Sequence, residues 1–142
     1  VSLRDCELDV AKLLEAAGLG TLADGAPTLF AGPFPASVPD AFIACRQSSS
    51  PKPEKYLGNV ARAYLRPTVT VLVRGASGPD SYTESGARAR AAWAALYSRT
   101  DVPGYVWIDP EEGEPTYLGE DEQHRPRWSF TVTCEYELAA PR

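Results

Sequence analysis

Apolar and polar positions alternate with a period of two along one stretch near the C-terminal end. Trp128, Phe130, Val132, Cys134, Tyr136 and Leu138 fall on one side, and Ser129, Thr131, Thr133, Glu135 and Glu137 on the other. Unbroken alternation of this length predicts a long strand with one face on a core and the other toward water or a partner, as in an antiparallel sheet covered on one side. The β-branched run Thr68–Arg74, with Pro67 before it and Gly75 after it, predicts a second strand. Shorter extended segments are expected at Thr28–Ala31, Ala41–Cys45, Tyr105–Ile108 and Thr116–Leu118. Between the first two of these, Gly32-Pro33-Phe34-Pro35 and Pro39-Asp40 exclude helix.

Two stretches follow the helical period instead. Leu3, Cys6, Val10, Leu13, Leu14 and Ala17 form one apolar stripe and predict a helix over residues 2–17, with Ser2 and Asp5 as a capping pair and Gly18 as a left-handed stop. A second helix is predicted from about Ser81 to Tyr97, where Ser81 and Glu84 repeat the cap spacing. Its alanines Ala87, Ala91, Ala94 and Ala95 surround Trp93 and Leu96 and would let it lie close to a sheet. Gly86 weakens the first turns of that helix by about 1 kcal/mol relative to Ala. From Arg46 to Asn59 the chain is polar and proline-broken, which predicts a long mobile loop. Helix, strands, helix, strands is the order of an α+β fold, here a mixed, mainly antiparallel sheet with two helices packed on one face. No internal repeat of 20–50 residues is apparent.

The chain has 142 residues, which fits a single domain over 1–142 with a mobile loop at about 46–59 and an acidic loop at about 109–124. With 44% hydrophobic residues it can build a core without help from metals or disulfides. No apolar run approaches the ~20 residues that a bilayer requires, and Val-Ser-Leu-Arg-Asp-Cys has no signal-peptide layout. A protein made in the cytoplasm, without a membrane partner, is expected.

Charge changes this picture more than composition does. The net charge is -5, yet residues 43–74 hold Arg46, Lys52, Lys55, Arg62, Arg66 and Arg74 against Glu54 alone, a local +5. Residues 101–124 hold Asp101, Asp109, Glu111, Glu112, Glu114, Glu120, Asp121 and Glu122 with no Lys or Arg, a local -8. The net acidity argues against free nucleic acid as the main ligand. A partner of mixed charge fits better, including another copy of the same chain, and contacts between two unlike patches build rings or filaments.

Residues that could carry chemistry are few. Cys6, Cys45 and Cys134 lack the spacing of a zinc or redox site and fall in apolar-periodic segments, so buried structural thiols are expected. His124 stands alone in a charged stretch with no nucleophile motif beside it. Gly18-Leu19-Gly20 lacks the rest of a phosphate loop. Asp109, Glu111, Glu112 and Glu114 lack the ligand ladder of a calcium loop. No catalytic, cofactor-binding or metal-binding residue is nominated, and a non-enzymatic protein without cofactors is expected.

Three stretches together resemble the tail-terminator and minor-capsid (head-tail joining) family of long-tailed bacteriophages. They are Gly32-Pro33-Phe34-Pro35 with Pro39-Asp40-Ala41-Phe42-Ile43; Tyr64 to Gly75, in which Arg-Pro opens a strand closed by Arg-Gly; and Pro115 to Arg125, leading into the amphipathic strand. Each is ordinary turn or strand grammar, and the resemblance lies in their order along nearly the whole chain. It implies a virion structural protein that forms a ring, commonly of six copies, at the head-proximal end of the tail. Such a ring ends tail-tube growth and joins the tail to the head connector. The implied partners are further copies of the chain, the tail tube protein, the head connector or stopper protein, and the sheath where the tail is contractile. Genomic DNA would pass through without specific binding. Within this reading Arg46, Lys52, Lys55, Arg62 and Arg66 are expected to face Glu111, Glu112, Glu114, Asp121 and Glu122 of a neighbour. The alternatives are a head-side adaptor or stopper, or a monomeric acidic binding or inhibitor module.

Overall fold

A computed structural model describes residues 3–22, 26–33, 38–50, 54–56 and 59–139. The elements are α1 (Cys6–Ala16), β1 (Leu29–Ala31), β2 (Phe42–Ser49), β3 (Glu54–Tyr56), β4 (Asn59–Leu65), β5 (Thr68–Arg74), α2 (Ser81–Leu96), β6 (Trp107–Pro110), β7 (Thr116–Glu120) and β8 (Pro126–Ala139). The fold is α+β. Among the described residues, eight strands join one mixed sheet, in which only β1 and β2 run parallel.

The amphipathic strand β8 organises this sheet. On one side it pairs first with β5, from Arg127 to Thr133, and then with β4, from Tyr136 to Ala139. Its other side is taken by β7 near Pro126–Ser129 and by β6 at Val132–Glu135. Strands β4 and β5 are consecutive, separated by Arg66 and Pro67, and the Pro67 carbonyl accepts the Cys134 N–H at 2.9 Å, so the ladder bridges the bend. Because β8 is hydrogen-bonded on both sides, its backbone groups need little from solvent.

Both helices cover one face. Ile43 and Cys45 of β2, Val69, Val71 and Val73 of β5, and Trp128, Phe130, Val132 and Cys134 of β8 share that face and form one buried cluster with Val10 and Leu14 of α1 and Ala89, Ala92 and Leu96 of α2. Each Val, Leu, Ile or Phe buried there contributes about 1.5–3 kcal/mol. A second, small cluster of Phe30, Phe42 and Ala44 with Val38 lies on the opposite face, at one end of β2.

Several expectations are corrected at this level. The run 46–59, expected as loop, is largely strand: Arg46–Ser49 extend β2 against β5, and 54–56 with 59–65 form an antiparallel pair. Cross-strand pairing overrides the local proline and serine signal, which propensity alone cannot anticipate. The α1 cap is Asp5, whose carboxylate accepts the Leu8 N–H at 3.2 Å, and Ser2 lies outside the described residues. Asp80 is the N-cap of α2, while Ser81 is its first helical residue and donates to the Gly78 carbonyl. The buried stripe of α2 is Ser85, Gly86, Ala89, Ala92 and Leu96, so Ala87, Ala91 and Ala94 face outward. Gly86 lies against the Trp128 indole: a Cβ there would stand 2.9 Å from the ring. Gly18 has φ of 79°, the Gly18 N–H bonds the Glu15 carbonyl and the Leu19 N–H bonds the Leu14 carbonyl, the paired bonds of a left-handed helix stop.

Candidate functional site

The face of the sheet away from the helices is covered at one end of β2 by the cluster of Phe30, Phe42 and Ala44 with Val38, and carries an open groove across its middle rows. Register places its residues in cross-strand rows: Phe42, Arg74 and Arg127; Ala44, Leu72, Ser129 and Thr116; Arg46, Thr70 and Thr131; then Thr68 and Thr133. Small side chains dominate the middle rows. They leave an open groove of about 500 Å³ lined by Ala44, Arg46, Thr70, Leu72, Leu118 and Ser129 among others. Leu118 is 46% exposed at its rim. Arg46 is exposed and makes no ion pair or side-chain hydrogen bond among the described residues.

One end of this face carries an ion-pair network. Arg125 donates from Nε to Asp121 Oδ2 at 2.8 Å and from Nη1 to Asp40 Oδ1 at 3.1 Å. Arg74 stands 3.8 Å from Asp121 Oδ2, bonds the carbonyls of Asp40 and Pro39, and lies 4.4 Å over the Phe42 ring. Desolvation would raise the Asp121 carboxyl, but the N–H groups of Arg125 and Gln123 and the Arg125 guanidinium outweigh it and hold the group below its usual value. Desolvation and the neighbouring Arg125 charge lower Arg74, against Asp121 and Asp40. Arg127 completes this end. Its Nη2 reaches the Glu120 carbonyl only at 3.5 Å, and its Nε is buried without an acceptor.

At the other end Arg66 pairs through Nε with Glu135, a carboxylate that is 7% exposed. Along the edge formed by β6 and β7, the connection 111–115 fits into the gap between the two strands. Glu112 accepts the Thr131 N–H and its carbonyl accepts the Trp93 indole N–H, both at 2.8 Å. Glu111 accepts the Thr133 hydroxyl at 2.8 Å. Glu114 and Glu122 are exposed and make no ion pair among the described residues.

The predicted contact residues are thus sorted by what they already touch. Arg66, Glu111, Glu112 and Asp121 make bonds within the chain. Arg46, Glu114 and Glu122 make no side-chain bond among the described residues. Lys52 lies outside the described residues, as do the side chains of Lys55 and Arg62. Sequence reasoning did not single out Arg127 or Leu118. The parity of Arg127 with Ser129 and Thr131 marks it for the open face, and Leu118 is a lone leucine in an acidic stretch, so both signals were present.

All three thiols are free and buried. Burial, reinforced by the Glu7 charge, pushes Cys45 up to about 12. Tyr105 is raised by burial and by its hydrogen bond to Asp9, which ties α1 to the segment before β6. His124 is exposed on the β7–β8 turn with φ of 59° and lies 3.1 Å from Glu120. Among the described residues no three His, Cys, Asp or Glu side chains converge as metal ligands, and no helix is long and apolar enough to cross a membrane.

Fold and surface together define a two-layer α+β fold with a helix-covered face and a largely open, charge-rimmed one. No model of a known protein family matches the chain, and no curated protein does. Among solved structures its backbone is similar to that of a chain from the virion of a native gene transfer agent (GTA) particle, with a TM-score of 0.59 and 13% sequence identity. The likeness covers 93% of this chain and 94% of that one, and at this identity it is a likeness of fold.

Proposed function

We propose that the chain is a virion structural protein that assembles head to tail into a ring, of six copies, at the head-proximal end of a phage tail. There it ends tail-tube growth and joins the tail to the head connector. The observation that carries this reading is the near end-to-end likeness of the backbone to a chain of a virion particle, 93% of one against 94% of the other. The form of the subunit suits the role: one face closed by helices, one face bare, and unlike charges on opposite sides of the sheet favour repeated protein contacts. Partners in this reading are the tail tube protein and the head connector or stopper protein, with DNA passing through unread.

Mass photometry at low and high salt, together with cosedimentation on purified tail tubes, tests the proposal. Rings that weaken with salt and bind tube ends are expected. A strictly monomeric protein that also leaves tails unbound would sink it. Binding to isolated heads in place of isolated tails would move the assignment to a head-side adaptor or stopper.

A further inference from the structure

We infer that a second copy of this chain docks on the bare sheet face, seating the Gly113–Glu114 tip of its β6–β7 connection in the groove between Arg46 and Leu118. This rests on the reading of the chain as a self-assembling subunit and names the surface and the residues that would do it.

Arg46 stands exposed on the groove wall with no carboxylate beside it among the described residues. An exposed guanidinium with no partner among the described residues makes this wall electrostatically complementary to a carboxylate-bearing segment laid across the groove. The chain offers such a segment. Between β6 and β7, Glu111 and Glu112 are anchored to β8 and hold the connection in place, while Gly113 and Glu114 are exposed, and space around Gly113 is open. Anchored flanks mean that little ordering entropy would be lost when the tip binds.

Placement excludes the same copy as the occupant. Arg46 lies on β2, whereas the tip projects from the β6–β7 edge, and β5 and β8 separate the two. Three strand spacings, about 14 Å, put the opposite charges on opposite flanks of the sheet. Each copy therefore offers a tip on one flank and a groove opening toward the other. Docking tip into groove repeats from copy to copy, which is the head-to-tail arrangement that closes into a ring when the rotation allows.

Area sets a further condition. Four strands about 4.8 Å apart and six residues at ~3.3 Å each span roughly 400 Å². A standard interface takes about 800 Å² per partner. The sheet face alone supplies about half, so contacts around the connection and along the rim complete it. Leu118, exposed beside the groove, is the apolar anchor of this surface.

Charge reversal provides the test. Arg46→Glu and Glu114→Arg lie at exposed positions, so both variants should keep the far-UV circular dichroism and melting temperature of the parent. Sedimentation velocity at low salt should show at least tenfold weaker self-association for each variant alone. Mixing the two variants should restore assembly, because every tip then meets a groove of opposite sign. Unchanged association of the single variants, or failure of the mixture to recover, overturns the inference while leaving the virion reading to its tail-binding test. A wild-type chain that stays monomeric at low salt also overturns it, and binding to tail tubes would still uphold the virion reading. Restored assembly that stops at two copies supports the docking and overturns the head-to-tail ring.

Discussion

Glu135 has 7% of its surface exposed, and Arg66 is the cation beside it. Removing the partner leaves a buried carboxylate without its charged donor, so Arg66→Ala should destabilise by about 1–3 kcal/mol in urea titrations. Arg66→Lys, which keeps the charge but not the guanidinium fork, should recover part of that loss. Asp121 makes a prediction in pH. Its carboxyl is held below its unfolded value, so its contribution is fully present above the ordinary Asp value of about 3.9 and is lost as pH falls through the lower folded value. Wild type should therefore show a steeper loss of melting temperature below pH 4 than Asp121→Asn. Two of the thiols shift in the opposite direction: burial raises Cys45, and the hydrogen bond to Cys6 together with burial raises Cys134, whereas that same bond lowers Cys6. Buried Cys45, raised to about 12, and Cys134, also raised, should resist iodoacetamide at pH 8 in native protein and react in guanidinium, because thiols held so high have almost no thiolate there.

Strand β8 holds the molecule together at the scale of elements, since β4, β5, β6 and β7 all pair with it. Phe130 lies in its buried row opposite Val71, and Phe130→Ala should cost about 3–5 kcal/mol by leaving a cavity under both helices. At Gly86 helix propensity and packing oppose each other. Alanine would favour the helix by about 1 kcal/mol, but its Cβ would stand 2.9 Å from the Trp128 ring, whose Nε1 donates to Ser85 at 3.0 Å. Overpacking costs about 1–3 kcal/mol, so Gly86→Ala should lower the melting temperature, against the propensity. The alternation of β8 and the bounds of β5 were readable in the sequence because period two has only one solution when one face is apolar. The buried side of α2 was not, since an alanine-rich helix has small residues on every face and no stripe to read. The extension of β2 escaped notice for a different reason: Arg46–Ser49 become strand by pairing with β5, and no local signal marks that contact.

At the scale of the whole molecule, the exposed charges that stay unpaired among the described residues should govern assembly. Exposed charges such as Arg46 and Glu114 are screened beyond about 8–10 Å at 0.1–0.15 M salt. Self-association measured by light scattering should therefore weaken markedly between 50 mM and 500 mM NaCl, whereas melting of the subunit, which depends on an apolar core, should change little. Eight acidic residues in 101–124 suggest one uninterrupted patch, yet the fold divides them. Asp101 pairs with Arg99, Asp121 with Arg125, and Glu111 and Glu112 are bound to β8. The surface left to a partner is narrower than the sequence total implies.

Periodicity along the chain determined by itself the two helices, the two principal strands, the one-sided cover of the sheet and the burial of the three cysteines, because each follows from which side chains must leave water. Net charge and its division along the chain were equally fixed by the residues alone. Only the tertiary structure decided which charges remain for a partner. Pairing with Arg66, Arg74 or Arg125 depends on residues as far apart as Asp40 and Arg125, brought together by the sheet, and no spacing in the sequence encodes that distance.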